Sequence, residues 1–317
     1  MKNRLRIVFF GTPEFAVASL ERLAKGDDCI AAIVTAPDKP AGRGLQLKHS
    51  PVREYALKNN IPVLQPVNLK DESFLQELTN IKPDLQVVVA FRILPREVWS
   101  LPTLGTFNLH SSLLPDYRGA APINWVLING ETETGITTFF LEDSIDTGNI
   151  IFQEKTSIAA DETAGELHDR LKTMGAELVI KTIDAIKDET ARQINQCDLI
   201  SSEKIIHPAP KLYKEDCHIN WRNNVLHIYN LIRGLSPYPG AFTELDSGGQ
   251  SWHLKIFRAD AEYNSPTIDP GCFLTDHKSF FKIAANDGYL HLREIQISGR
   301  RQMGINEFLR GFGKIFT

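Results

Sequence analysis

GTFNLHSSLLPDYRGAAPINW, Gly105 to Trp125, is the stretch from which the rest of the chain is read. Thr106, Phe107 and Leu109 are β-formers alternating with Gly105, Asn108 and His110, a strand that ends in small residues and Pro115. Period-2 alternation puts Asn108 and His110 on one face of that strand, an amide beside an imidazole where the strand becomes a loop. A carboxylate follows in LEDSIDTG, where Asp146 precedes the turn signal Thr147-Gly148 after the strand-like TGITTFFLE. Amide, imidazole and carboxylate together suit acyl-group chemistry. Imidazole holds or moves a proton near neutral pH, the carboxylate orients it and stabilises its charge, and the amide donates to a developing oxyanion. No Ser or Cys is placed as a nucleophile, and a transfer in which the acceptor's own amine attacks needs none. A polar strand end with a satisfied histidine would look the same over five residues. The sequel separates the two readings, because SLLP, YRG and a Pro-led segment are loop chemistry rather than core.

Moving outward, Leu5 to Phe10 reads as a buried strand, and Pro13-Glu14 opens a helix to about Ala24. The turn between them is GTP rather than GxGxxG, so no dinucleotide site is indicated. Cys29 to Thr35 is a second strand, and helices are expected over Pro51 to Lys58 and Glu72 to Leu78. A short strand lies near Pro62 to Leu64, and an apolar strand runs from Leu85 to Ala90. Strands separated by helices make βαβ units and a mostly parallel sheet, whose ligands bind outside the carboxyl ends of the strands. Phe91 to Leu94, Asn108 to His110 and Asp143 to Asp146 converge there. Ile150 to Ser157 reads as a strand and Thr163 to Lys187 as a long helix. Periodicity then fades, which places a connection over 189–207 between a domain at 1–188 and a second at 208–317. The second opens with a helix near Asn223 to Leu231. Short strands follow, broken by DSGGQ, SPTIDPG and ANDGY, the pattern of a small β-barrel.

Composition fits a water-soluble protein. Hydrophobic content is 42% and charged content 23%, and the cysteines (Cys29, Cys197, Cys217, Cys272) show no metal or disulfide spacing. MKNRLRIVFF starts like a signal peptide, but its apolar run breaks at Gly11-Thr12-Pro13. No stretch approaches the roughly 20 apolar residues of a membrane span, so a cytoplasmic protein with no membrane partner is expected. The net charge of −4 is uneven: from Lys204 onward 14 Lys and Arg face 11 Asp and Glu, against 21 and 28 before it. Basic residues also gather between Asp38 and Arg53 (Lys39, Arg43, Lys48, Arg53) among Pro and Gly, an arm able to track phosphates.

These motifs, in order, resemble those of the formyltransferases that use 10-formyltetrahydrofolate. The likeness runs from RIVFFGTPEFA through PDKPAGRG, the Asn-His strand and LSPYPGAF to RRQMGINEFLRG. It implies a Rossmann-like α/β catalytic domain, 1–188, with a mostly parallel sheet flanked by helices, then an OB-like β-barrel domain, 208–317, that binds tRNA. It implies Asn108, His110 and Asp146 as catalytic residues. Phe91, Arg92, Ile93, Leu94, Ser112, Leu113, Leu114, Pro115 and Asp143 are implied as the folate site, with Arg92 where the family usually has Gly. The basic loop resembles that of the tRNA-formylating branch, which implies that Lys39, Arg43 and Lys48, with Arg300 and Arg301, meet the acceptor stem of initiator methionyl-tRNA. The implied co-substrate is 10-formyltetrahydrofolate, with no metal, and a monomer is expected. Branches that formylate a sugar nucleotide or glycinamide ribonucleotide share the Asn-His-Asp centre but lack the basic loop. A formyltetrahydrofolate hydrolase or a non-catalytic folate- or RNA-binding module are the remaining alternatives.

Overall fold

A computed structural model describes residues 4–41, 46–200, 205–313 and 315–316. In chain order the elements are β1 (Arg6–Gly11), α1 (Glu14–Leu23), β2 (Cys29–Val34), β3 (Lys39–Ala41), β4 (Gln46–Lys48), α2 (Pro51–Lys58), β5 (Val63–Leu64), α3 (Glu72–Ile81), β6 (Leu85–Val89) and α4 (Arg96–Trp99). There follow β7 (Thr106–His110), β8 (Arg118–Gly119), α5 (Pro122–Ile128), β9 (Glu133–Phe140), β10 (Ile150–Ser157), α6 (Ala164–Lys187), β11 (Pro208–Ala209) and α7 (Val225–Leu235). The chain ends with β12 (Ala241–Ser247), β13 (Gln250–Glu262), β14 (Phe273–Thr275), β15 (Phe281–Ala284), β16 (Tyr289–Ile297), β17 (Met303–Gly304) and α8 (Ile305–Phe312). They form two compact units interleaved along the sequence. One is Met1–Gly119, Thr134–Thr156 and His168–Pro208; the other is Ala120–Glu133, Ser157–Leu167 and Ala209–Thr317. Residues 189–207, expected as the connection, fall within the first.

The first unit is built on a seven-stranded sheet in the order β10-β9-β7-β6-β1-β2-β5. From β5 to β7 the pairs are parallel; β9 joins β7 antiparallel. Neighbouring strands covered on both faces are largely apolar, and β1 and β6 fit: Ile7 to Phe10 and Leu85 to Val89 are all buried, and the one polar member, Gln86, accepts from Thr106 Oγ1. Val8, Phe10, Ala32, Val34 and Val88 pack on one side with Phe74 and Leu78 of α3 and Val98 of α4. Helices start where the sequence offers a cap. Ser50 accepts the Arg53 N–H ahead of Pro51, and Asp71 accepts from Ser73 and Phe74. The chain reverses direction of travel across the sheet between β1 and β6, and Gly11 at the end of β1 sits level with Val89. A side chain there would press on Ala16 and Phe9, at 2.7 and 2.8 Å, so the tight β1–α1 connection requires glycine.

In the second unit an antiparallel sheet runs β12-β13-β16-β15-β14, with β17 beside β16, a barrel-like arrangement of short strands. Gly248 and Gly249 make the β12–β13 turn, both with positive φ (+61° and +71°), as a two-residue hairpin loop demands. Val225, Ile228, Ile232 and Leu235 of α7 share one core with Leu254, Ile256, Leu290 and Ile295. Phe281, Phe308 and Phe316 meet edge-on or tilted with ring centroids 5.3–5.7 Å apart.

Candidate active site

Strand β7 lies between β6 and β9, with Asn108 level with Val88 on one side and Phe139 on the other. Leu109 points the opposite way from Asn108 and His110, against Gly175 of α6, where a methyl would come within 2.6 Å of its Cδ2. The ladder therefore fixes the backbone of the amide–imidazole pair while α6 covers the reverse face. His110 is 6% exposed, and its Nε2 lies 2.9 Å from the Tyr117 carbonyl. A carbonyl only accepts, so Nε2 carries the proton in this bond. That leaves Nδ1 toward Asp146, whose Oδ2 is 3.9 Å away, an ion-pair separation too long for a hydrogen bond. The side-chain amide of Asn108 makes no hydrogen bond among the described residues, so its donors are free for a ligand.

Tyr117 reaches His110 because the chain doubles back after β7. Ser112 Oγ donates to the Asp116 carbonyl at 2.6 Å, and Tyr117 itself is left-handed, with φ +58°. Thr137 of β9 donates to the Ser112 carbonyl and accepts from Leu114 N–H, while Gln153 Nε2 donates to the Leu114 carbonyl. Ser112, Leu114 and Pro115 are thus internal, and Leu113 is half-buried beside Gly135. This loop is a firm wall whose polar backbone is largely used up by its own neighbours.

Asp146 arrives on the loop 141–148 with φ +55°, a conformation Asp tolerates better than most residues. Its Oδ2 accepts the Gly119 N–H at 3.0 Å. Gln196 holds the same loop from the other side. Its Nε2 donates to the Asp146 carbonyl at 2.8 Å and the Gly148 carbonyl at 2.9 Å, and its Oε1 accepts from Arg118. A lone glutamine in a segment without periodicity gives no sequence signal, and neither does a backbone N–H such as that of Gly119.

The remaining site residues predicted from sequence divide clearly. Phe91 to Leu94 follow β6 directly and so border β7. None of their backbone N–H or C=O groups pairs with other described backbone, Ile93 is 70% exposed, and Phe91 stacks edge-on to Phe10. Arg92 turns its guanidinium onto the Pro66 and Val67 carbonyls, over the Phe91 ring, and partial burial lowers its pKa from the ordinary value. Its backbone is not left-handed (Ala90, two residues earlier, is, at φ +48°), so this position does not need glycine. Asp143 is exposed and lies 3.8 Å from Arg96. Lys39 and Lys48 are exposed and directly opposite each other in the β3–β4 hairpin. Arg43 lies outside the described residues. The hairpin's base is clamped by Asp38, which bonds His49, Arg53 and Gln65. In the second unit, Arg301 pairs with Glu307, and Arg300 lies over the Phe312 ring. Among the described residues one group could gather ligand atoms for a metal ion, Glu14, His168 and Asp169, and the Lys172 ammonium already bridges its two carboxylates.

Comparison with known proteins gives this geometry a family. Residues 5–183 match the family described as formyl transferase, and residues 211–313 match the formyl transferase C-terminal domain. The methionyl-tRNA formyltransferase of Bacteroides thetaiotaomicron is 49% identical over 312 residues, 98% of this chain and 97% of that protein. That of Parabacteroides distasonis is 51% identical over 319 residues, covering 99% and 98%. Among solved structures, the sugar 3N-formyltransferase WlaRD, determined with dTDP and 5-N-formyl-THF, aligns with a TM-score of 0.66 at 22% identity. The alignment covers 94% of this chain and all of that one. HypX from Aquifex aeolicus, in complex with tetrahydrofolic acid, aligns at 0.64 and 17%, covering 98% of this chain and 48% of that one. With both domains matched and near-half identity along its whole length, the chain belongs to the formyltransferase family.

Proposed function

We propose that this protein transfers the formyl group of 10-formyltetrahydrofolate to the α-amine of the methionyl group on initiator methionyl-tRNA, in the cytoplasm and as a monomer. The observation that carries the chemistry is His110, pinned through Nε2 to the Tyr117 carbonyl with Nδ1 turned to Asp146, beside the unpartnered amide of Asn108. The relatives named methionyl-tRNA formyltransferase support this choice of acceptor. The donor's ring suits the edge beside β7. Exposed Ile93 and half-buried Phe91 offer apolar contact, and the unpaired backbone of 91–94 offers donors and acceptors.

The amine attacks the formyl carbon, a C–N bond forms, and the carbonyl oxygen takes up negative charge. Asn108 donates to that oxygen through its free amide. With both ring nitrogens protonated, His110 donates through Nδ1, the nitrogen that the bond to the Tyr117 carbonyl leaves available. Pre-aligned donors of this kind stabilise the charge without reorganising at the moment of reaction. Asp146 receives the proton shed by the amine and passes it to N10 as the C–N10 bond breaks, which balances the reaction without a covalent enzyme intermediate. At the other end of the substrate, Lys39 and Lys48 face each other across a hairpin. Like charges directly opposite destabilise a strand pair, and a polyanion laid across them relieves that repulsion. Arg43, between them in sequence, and, separately, Arg300 and Arg301 of the second unit are the other side chains assigned to the acceptor stem.

The test supplies purified protein with 10-formyltetrahydrofolate and either charged or uncharged initiator tRNA. Formylation of the charged tRNA alone is expected. Formylation of a free ribonucleotide or amino-sugar nucleotide, with methionyl-tRNA inert, overturns the assignment.

A further inference from the structure

We infer that Gln196, delivered by the segment 189–207, is a positioning residue for Asp146, and that Arg118 strengthens its hold; the inference rests on the catalytic reading of Asp146 above. Gln196 is 1% exposed, and its carboxamide is saturated. Both N–H donors go to the carbonyls of Asp146 and Gly148, and both lone pairs of Oε1 are taken by Arg118, from Nε at 3.1 Å and from a terminal nitrogen at 2.6 Å. Only one orientation of the amide works, because the reverse flip would set Oε1 against two carbonyl oxygens.

The carbonyls it grips flank the reacting carboxylate. Asp146 is left-handed, a conformation that persists only where surrounding contacts over-determine it. Side-chain Oδ2 is fixed by Gly119 N–H, but the backbone is fixed by Gln196, so two independent anchors set where the carboxylate faces Nδ1 of His110. No carboxylate pairs with Arg118 among the described residues. Its charge is directed into Oε1, which polarises the amide and makes its N–H groups better donors to the loop. Gln196 is itself held in place: Ile194, two residues earlier, exchanges backbone hydrogen bonds with Ile150, both 2.9 Å, at the loop's far end. The chain thus closes a clamp on the C-terminal side of the Asp146 loop.

The experiment compares Gln196→Leu and Gln196→Glu with the intact enzyme. The leucine variant removes every bond. The glutamate variant keeps an acceptor for Arg118 and loses both donors to the loop. Both are expected to bind the formyl donor normally and to lose about 10- to 100-fold in kcat, the cost of a misplaced reacting group. A residue of purely structural importance would instead lower the melting temperature and leave kcat per folded molecule intact. The decisive measurement is a double-mutant cycle with Asp146→Ala. Because Gln196 acts through Asp146, adding Gln196→Leu to Asp146→Ala should cost nothing more in kcat. An equal fractional loss in both backgrounds, or wild-type kcat in Gln196→Glu, overturns the inference. His110→Ala run alongside keeps the two claims apart: full turnover in that variant sinks the site, whereas its inactivity beside an active Gln196→Glu sinks only the clamp.

Discussion

Gly148→Ala tests how tightly the Asp146 loop must close. A methyl added to Gly148 would lie 1.7 Å from the Phe140 carbonyl oxygen and 2.9 Å from its carbon. Real Cβ atoms do not approach within 3.0 Å, so the two must part by at least about 1.3 Å, a distortion an overpacked site resists. Phe140 cannot supply that movement. It is level with Phe107 in the β7–β9 ladder, its N–H donates to Asn149 O, and the next residue donates to Thr106 O at 2.8 Å. The loop must move, and Asp146 is two residues away. A misplacement near 1 Å at a reacting group costs up to about 100-fold, and overpacking costs about 1 to 3 kcal/mol of stability. The expected result is a folded protein with unchanged donor affinity, read by equilibrium binding, and a single-turnover formylation rate reduced by that factor. Gly311→Ala in α8, where nothing lies within 4 Å, is the control; it should keep full rate and gain up to about 1 kcal/mol of stability. A Gly148→Ala enzyme turning over at the wild-type rate would refute the argument that loop closure sets the carboxylate's position.

Asn108→Ala and His110→Ala should each fold and bind donor but lose about 100- to 1,000-fold in single-turnover rate, the cost of removing one oxyanion donor; normal rates in either would exclude that role. Alanine at Lys39 or Lys48 should flatten the dependence of log affinity for methionyl-tRNA on log salt by about 0.7 to 0.9 per site, with donor binding unchanged. Glu262, bonded first by His291 and then by Lys282 and Asn264, has its carboxyl held down to about 2, from 4.5. An unfolded chain takes up this proton near 4.5 and the folded one only near 2. The stabilisation is therefore fully present above 4.5 and is lost as pH falls toward 2, at about 1 kcal/mol after surface screening. Glu262→Gln should remove that acid-sensitive increment in denaturant titrations of the full chain; an unchanged slope between those pH values would discount the cluster.

What the sequence revealed follows from how local each signal is. The spans of β1, β6 and β10 are readable because a strand's apolar run or alternation is written in adjacent residues, and α2 because Ser50-Pro51 is a start signal. Asn108 and His110 share a face for the same reason. The expected helix near Asn223 to Leu231 instead continues to Leu235. Gly234 weakens a helix by propensity, yet a Cβ there would stand 2.7 Å from Ile128 Cγ1 and 3.1 Å from the Asn124 carbonyl of α5, so close packing of the two helices wins. The stretch from Asp38 to Arg53 reads as a loop because Pro, Gly and charge obscure alternation, and its hairpin is fixed at the base by Gln65, far along the chain. Gln196 is invisible for a stronger reason. Its role exists only once residues 50 positions apart meet, and no spacing rule encodes that.

The geometry of a strand explains why the third group of the proposed catalytic set must come from elsewhere. Successive residues on one face of a strand stand about 6.6 Å apart, close enough for two donors to reach a single oxygen from one side. A third group on the same face would sit still further along and would face the same way as the first two. A proton must move from the incoming amine to the departing nitrogen, both bonded to the tetrahedral carbon, whereas the two donors face its oxygen, so the carboxylate has to enter from another direction. The β7 ladder makes Asn108 and His110 rigid without further help, whereas Asp146, on a left-handed loop, inherits no rigidity from any element and must be tied down by side chains. Gly119 N–H and Gln196 supply those ties, from either side of the loop in sequence. The same division leaves the proposed acceptor contacts free to change. The lysine-bearing hairpin meets the sheet at Asp38, His49 and Gln65, none of which touches the three reacting groups, so a different hairpin could present a different amine to an unaltered centre.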